Sequence, residues 1–155
     1  MTILTNRLRL RPFNMDDFCW YKGVVTDEEF KMRLPGIACE QDDVIKETIE
    51  LFSKADFIND FYYVICDFSN NVFGVIVAVR ITGLIIDVSY FLKANFRHNG
   101  YMREAVASLV SYARRIEPSY RFRFVIEQNN KESLNVVKSL DASVLQVNEK
   151  YVCYL

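Results

Sequence analysis

Apolar and polar positions along the chain change period several times, and each change marks an element. Arg7-Leu8-Arg9-Leu10-Arg11 alternates with period two, as a strand with one buried face does. Pro12 ends it, and Asn14 suits the N-cap of a helix through Asp17, Phe18 and Tyr21. A second helix is expected to begin near Gln41, because Ile45, Thr48, Ile49 and Phe52 fall on one face. A β-rich stretch follows. Phe61 to Phe68 reads as a strand, Ser69-Asn70-Asn71 as a tight turn, Val72 to Ile81 as a second strand, Thr82-Gly83 as another turn, and Leu84 to Leu92 as a third strand. Their near-continuous Val, Ile and Tyr content predicts a central sheet covered on both faces.

After Gly100 the period becomes 3.6. Met102, Ala105, Val106, Leu109, Val110, Ala113 and Ile116 form an apolar stripe that Pro118 closes. Tyr120 to Glu127 is a strand again. A helix separates it from the Leu84 strand, so the two should be parallel neighbours joined by a right-handed crossover. A short helix follows Asn130, carrying Ser133, Val136, Val137 and Leu140. A hairpin ends the chain, with Val144 to Val147, a turn at Asn148-Glu149, and Tyr151 to Leu155. The expected order is β-α-α-β-β-β-α-β-α-β-β, an α/β (α+β) fold in a single domain over residues 1–155.

Composition narrows the class. With 155 residues and 51% hydrophobic content, the chain has material for one substantial core. No apolar run reaches the ~18–20 residues of a membrane span. The opening residues lack the apolar segment of a signal peptide, and a cytoplasmic location is expected. Cys19, Cys39, Cys66 and Cys153 are scattered and the chain has one histidine, so free thiols and no metal site are expected. The net charge of −1 conceals an asymmetry: residues 14–60 hold 12 Asp/Glu against 5 Lys/Arg, and residues 90–123 hold 7 Lys/Arg against 2 Asp/Glu. The basic block suits a polyphosphate ligand and the acidic block a cation, although solvated helix faces of opposite sign would read the same way. The near-neutral total argues against a nucleic-acid partner, and the Arg7/Arg9/Arg11 stripe reads as a solvated strand face. The aromatic residues at 57, 61, 62 and 63 read as core or strand surface.

The segment Arg97-His98-Asn99-Gly100-Tyr101-Met102 joins a strand to the start of a helix. Unpaired N–H groups and the positive end of the helix dipole meet there, a glycine lets backbone approach a phosphate, and an arginine supplies a bidentate donor. These are the parts of a pyrophosphate cradle. An ordinary strand–helix turn with a surface arginine has the same composition. His98 reads as an exposed loop residue or a phosphate neighbour.

The segment resembles motif A of the GNAT acetyltransferases, R/Q-x-x-G-x-G/A before a helix, and more closely the branch that acetylates ribosomal-protein N-termini. Asp87, Tyr90, Leu92, Gly100, Tyr101, Glu104 and Ala105 fit that branch's E-I-G-Y-W-L…G-Y-A-T-E-A run without a gap. Thr5 to Pro12 resembles its T-x-R-L-x-L-R-P opening, Asn130-Lys131-Glu132-Ser133 its N-x-x-S, and Leu140 its closing leucine. Three positions depart from the pattern. Met102 replaces the third small residue and is expected to crowd the phosphate turn. Leu140-Asp141-Ala142 replaces L-G-F, with aspartate tolerating the left-handed turn. Val137 stands where many of these enzymes carry a tyrosine acid, which this branch commonly lacks.

The resemblance implies a mostly antiparallel sheet with one splayed parallel pair, helices on both faces, and acetyl-CoA as cosubstrate with no metal. It places the pantetheine between the strands ending at Leu92 and Glu127, with backbone N–H groups near Phe91 and Leu92 on the thioester oxygen. It places the phosphates on the amides of Arg97, His98, Asn99, Gly100, Tyr101 and Met102. Asp87 is the first candidate base and Glu127 the second, with Ser133 or Asn130 toward the sulfur. The implied activity is transfer to a primary amine by direct attack in a ternary complex, with a cationic acceptor, no membrane or nucleic-acid partner, and a monomer or homodimer. The competing readings are a coenzyme-A-binding domain without turnover and an α/β interaction or RNA-binding module.

Overall fold

The computed structural model describes residues 1–33, 41–56 and 60–155. Cys39 and Phe57, both assigned roles by sequence, lie outside the described residues. Eight strands form one sheet in the order β1-β2-β3-β4-β5-β6-β8-β7. They are β1 (Ile3–Leu4), β2 (Arg9–Pro12), β3 (Asp60–Cys66), β4 (Val72–Thr82), β5 (Ile85–Leu92), β6 (Arg121–Glu127), β7 (Ser143–Val147) and β8 (Lys150–Tyr154). Every pairing is antiparallel except β5 with β6. The helix α4 (Tyr101–Ile116) forms the crossover between those two strands, as the change of period from 2 to 3.6 requires.

Side-chain alternation divides the core into two layers. On one face α4 and α5 (Lys131–Lys138) cover Phe61, Tyr63, Ile76, Ile86, Phe122 and Phe124, which meet Ala105, Val106, Leu109 and Val137. On the other, α1 (Phe18–Val25), α2 (Glu28–Arg33) and α3 (Asp42–Ser53) bring Tyr21, Phe30, Ile45, Ile49 and Phe52 onto Val64, Val75 and Phe91. Each fully buried large apolar side chain contributes ~1.5–3 kcal/mol of transfer free energy. Phe52 stacks on Tyr62 with ring centroids 4.2 Å apart, so the aromatic run near residue 60 is structural at positions 61, 62 and 63.

The predicted caps hold. Asn14 accepts from the Asp16 N–H and forms a reciprocal box with Asp17 at a one-turn 3₁₀ helix leading into α1. Gln41 is the N-cap of α3. Asp141 ends the α5 turn in the left-handed region at φ 61°, and its N–H donates to the Lys138 carbonyl. Two elements, β1 and α2, are additions to the sequence reading. β1 has two residues, too few for alternation to register. α2 is a six-residue helix whose start is marked by Asp27, which accepts from the Phe30 N–H at 3.0 Å. Among the described residues, no helix is long and apolar enough to cross a membrane.

Candidate active site

The parallel strands β5 and β6 are paired only from Ile85 opposite Arg121 to Asp87 opposite Arg123. Neither strand ends there. β4 holds β5 as far as Leu92, and β8 holds β6 as far as Glu127. The two strands therefore separate while each stays bonded to its outer neighbour. The Lys93 N–H donates to the Phe73 carbonyl at 2.9 Å, and the Arg121 N–H to the Leu84 carbonyl at 2.9 Å. Backbone groups alternate in direction along a strand, so odd-numbered β5 residues face β4 and even-numbered ones face β6. Beyond the Asp87–Arg123 pairing, the amides of Tyr90 and Leu92 thus face the gap without a strand partner. Of the two expected carbonyl-oxygen donors, the Leu92 amide points into the gap, whereas the Phe91 amide points into the β4 ladder.

The gap belongs to a cavity of about 950 Å³ lined from both faces of the sheet. From the α4/α5 side come Arg97, His98, Gly100, Tyr101, Met102, Arg103, Asn130 and Ser133. From the α2 side come Glu29, Met32, Val125, Glu127 and Lys150. Extending the register four residues past Asp87 and Arg123 brings Phe91 level with Glu127, both on the α2 side.

Gly100 is the N-cap of α4 with φ 75°, a left-handed conformation that glycine adopts without penalty. The first-turn N–H groups of this 16-residue helix have no intrahelical acceptors. The loop before it is held from an unexpected direction. The Arg7 guanidinium donates to the Asn99 carbonyl at 2.9 Å and to Glu104 at 2.7 Å, and it lies 4.7 Å from the Tyr101 ring centre. Glu104 also accepts from the Arg7 N–H and the Thr5 hydroxyl. Burial pulls the Glu104 carboxyl up, but the Thr5 and Arg7 hydrogen bonds outweigh it and hold it below its ordinary value. The arginine stripe is more than a solvated face, although Arg7 itself remains exposed. Arg7 clamps the loop, Arg9 reaches the Phe68 carbonyl at 3.4 Å, and Arg11 forms a bidentate pair with buried Asp17 at 2.7 and 2.8 Å.

The other expected residues are placed as follows. Arg97 is fully engaged: Glu29 takes both terminal nitrogens at 2.7 and 2.8 Å, and the Leu92 carbonyl accepts from Nε at 3.0 Å. It ties α2 to the end of β5, an anchor strengthened by Phe30 edge-on to Phe91 at 5.2 Å. His98 has φ 61° and sits with its exposed Nε2 3.3 Å from Glu132 at the start of α5. The Asn99 side chain donates to the Arg97 carbonyl at 2.9 Å. Met102 does not crowd the turn: its side chain belongs to the apolar stripe of α4 and is buried in the core. Asn130 caps α5 by accepting from the Ser133 N–H at 3.1 Å. Ser133 lines the cavity, and its carbonyl accepts from the Tyr90 hydroxyl at 3.3 Å. Burial pushes the Tyr90 phenol up despite that bond. Asp87 stands apart. It lies where β5 and β6 are still paired, contacts Arg123 at 2.7 Å, and is absent from the cavity lining.

Three charged lining residues were not singled out by sequence: Arg103, Lys150 and Glu29. Arg103 follows the glycine by three positions on α4, and its Nε donates to the Ser139 carbonyl at 3.3 Å. Lys150 pairs with Glu127 at 2.9 Å. Among the described residues, no group of His, Cys, Asp and Glu is arranged to hold a metal ion.

By sequence alone, no curated protein matches the chain. Solved structures do match over its whole length. An acetyltransferase of the GNAT family from Bacillus anthracis superposes with a TM-score of 0.85 at 15% identity, over 100% of this chain and 98% of the other. RimL, a ribosomal-protein alpha-N-acetyltransferase in complex with coenzyme A, gives 0.80 at 16% identity over 99% and 96%. A spermidine N-acetyltransferase from Vibrio cholerae, in complex with coenzyme A and spermine, gives 0.80 at 12% over 97% and 94%. These likenesses establish the fold. The sequence model described as "Acetyltransferase (GNAT) domain" matches residues 7–143. That span runs from the arginine that clamps the loop, through the splayed pair and the Gly100 turn, to the first residue of β7, and it makes this chain a member of the GNAT acetyltransferase family.

Proposed function

We propose that this acetyltransferase uses acetyl-CoA and transfers the acetyl group to a primary amine by direct attack in a ternary complex. The observation that carries the reading is the parallel pair that stops bonding at Asp87 and Arg123. It leaves a strand edge open between a glycine-led helix N-terminus and an acid-lined mouth. Two of the structural neighbours hold coenzyme A, and one of them holds spermine as well, which supports both the cosubstrate and an amine acceptor.

Each end of the cavity has a task. The amides at the start of α4, from Gly100 to Arg103, bind the pyrophosphate, with the Arg103 side chain as the nearby cation. Arg97 acts one step removed by fixing α2 and the end of β5. The Leu92 amide donates to the thioester oxygen as it gains charge, a contribution typically of ~3–4 kcal/mol to the barrier. The Ser133 hydroxyl is placed on the coenzyme side, toward the sulfur. The acceptor enters from the α2 side. An amine must shed a proton before it attacks, and Glu127, level with Phe91 across the gap, is the carboxylate placed to take it. Asp87 is four residues deeper along β5 than Phe91, on the paired part of the strand, and its carboxylate is instead paired with Arg123. The acceptor's nitrogen forms the new C–N bond, the C–S bond breaks, and the thiol is released.

The test mixes protein, acetyl-CoA and a panel of primary amines, protein N-termini and polyamines included, while free thiol is followed. Thiol release dependent on an amine is expected, together with about 2.7 kcal/mol of stabilisation at coenzyme concentrations near 100 times its Kd. Stabilisation without turnover on any amine would leave a coenzyme-binding domain. The absence of both effects would overturn the reading. Gly100→Val forces a β-branched residue to φ 75° and is expected to abolish the stabilisation.

A further inference from the structure

The acceptor mouth already contains an amine. Lys150 opens β8 opposite Glu127, lines the cavity, and holds its ammonium 2.9 Å from the Glu127 carboxylate. It is the one lysine in that lining among the described residues. Glu127 is level with Phe91, so this nitrogen lies at the rim of the gap into which the Leu92 amide points. Both partners of the ion pair are about half exposed, which leaves the long lysine stem free to swing off the carboxylate. The other described lysines are not in that lining, and Lys22 pairs with Asp42 on the far helices.

We propose that Lys150 is an internal acceptor: the enzyme acetylates its own Lys150 from acetyl-CoA when no external amine occupies the mouth. The inference rests on the coenzyme reading given above. Glu127 takes one proton from the Lys150 ammonium and passes it to solvent. The neutral nitrogen attacks the thioester carbonyl, forming C–N. The nitrogen loses its second proton as the C–S bond breaks, and that proton leaves with the sulfur as coenzyme A thiol. The net products are the amide, the thiol and one proton.

The modification has a consequence for the site. An acetylated Lys150 carries no charge, so Glu127 loses its cationic partner while Arg97 still neutralises Glu29. The mouth then presents an uncompensated carboxylate to an incoming cationic amine. Self-acetylation would thus convert a mouth of balanced charge into one that attracts a cationic amine.

The experiment incubates the full chain with acetyl-CoA and no added amine, and maps acetylated lysines by peptide mass spectrometry over time. Lys150 is expected to be modified at least ~100-fold faster than exposed lysines such as Lys22 and Lys54, from positioning and proton removal together. Its first-order rate should not change with protein concentration. Glu127→Gln should slow it ~10–100-fold, with thermal stabilisation by acetyl-CoA retained to show that the variant is folded and loaded. Label spread evenly over exposed lysines, a rate rising with protein concentration, or an unchanged rate in Glu127→Gln would each overturn the proposal. An unmodified Lys150 in protein that turns over an added amine would overturn it alone. An unmodified Lys150 in protein that acetyl-CoA does not stabilise would overturn the coenzyme reading with it.

Discussion

Gly74 lies on β4 directly opposite Leu92, whose amide faces the open gap. A Cβ at this position would stand 2.9 Å from the Phe91 carbonyl oxygen and 3.2 Å from Ile65 Cδ1, and would run into the Leu92 side chain. The Leu92 methyl can rotate away. The Phe91 carbonyl cannot, because it belongs to the β4–β5 ladder, so β5 itself must shift. Overpacking of this kind costs ~1–3 kcal/mol, and alanine recovers ~0.4–1 kcal/mol by restricting the unfolded chain. The net loss of about 1–2 kcal/mol corresponds to a fall in Tm of roughly 2–8 °C at this length. The same shift moves the Leu92 amide. If half of an oxyanion donor's contribution is lost, transfer slows by roughly tenfold. In the proposed pose the phosphates lie at the other end of the cavity, so the Kd for coenzyme A should stay within about threefold. Gly23→Ala serves as the control: Gly23 is in α1 with nothing within 4 Å of its Cβ position, and the change should stabilise by ~0.8–1 kcal/mol. Thermal unfolding and thiol-release kinetics on both variants decide the matter. Gly74→Ala with unchanged Tm and unchanged kcat, beside a Gly23→Ala protein of raised Tm, would refute the reasoning.

Two further predictions concern the carboxylates. Glu127→Gln should lower kcat by ~100-fold or more, while Asp87→Asn, which loses only a partly exposed pair with Arg123, should change stability by less than ~1 kcal/mol and leave the rate nearly intact; steady-state rates showing the opposite order would return the base role to Asp87. Glu104→Gln should destabilise by ~1–2 kcal/mol at pH 7. The Glu104 carboxyl titrates below its ordinary value of 4.5 in the folded state, so its contribution is present above that value and is lost as pH falls through the lower, folded one. Below about pH 4.5 the wild-type Tm should therefore fall more steeply than that of Glu104→Gln, and parallel pH–Tm curves would contradict the clamp.

Most of the fold was legible because its signals are local. Val72 to Thr82 and Ile85 to Leu92 are long apolar strands bounded by turn residues, and α4 buries the expected stripe from Met102 to Ala113, with Ile116 beyond it exposed. Even the substitution at Asp141 was readable, since the tolerance of aspartate for the left-handed region is a property of that residue alone. The elements that escaped are those whose existence depends on partners. β1 exists because Ile3 and Leu4 pair with Leu10 and Arg9. α2 is six residues long and is held by Phe30 against Phe91 and by Glu29 against Arg97, contacts across 61 and 68 positions of sequence that no window of local pattern reports.

The site divides along the same line. Gly100 was identified because a glycine at a helix start lets backbone approach a phosphate, and the Leu92 end of β5 because the family resemblance placed the splayed pair there. Most of the assignments that changed turned on which charged group meets which; the exceptions are Met102, which joined the core, and the Phe91 amide, which belongs to the β4 ladder. Arg97 has the composition of a phosphate ligand, yet Glu29 takes both of its terminal nitrogens. Arg7 has the pattern of a solvated strand residue, yet it meets Glu104 and Asn99, more than ninety positions away. Asp87 and Glu127 are both acids on strands of the splayed pair, and only the point at which the ladder stops separates them. Residue type sets which chemistry a side chain can perform, but the three-dimensional pairing of charges decides which of them remain available to perform it. At this mouth the pairing leaves Glu127 beside an amine, and that is the arrangement from which both the proposed base and the proposed internal acceptor follow.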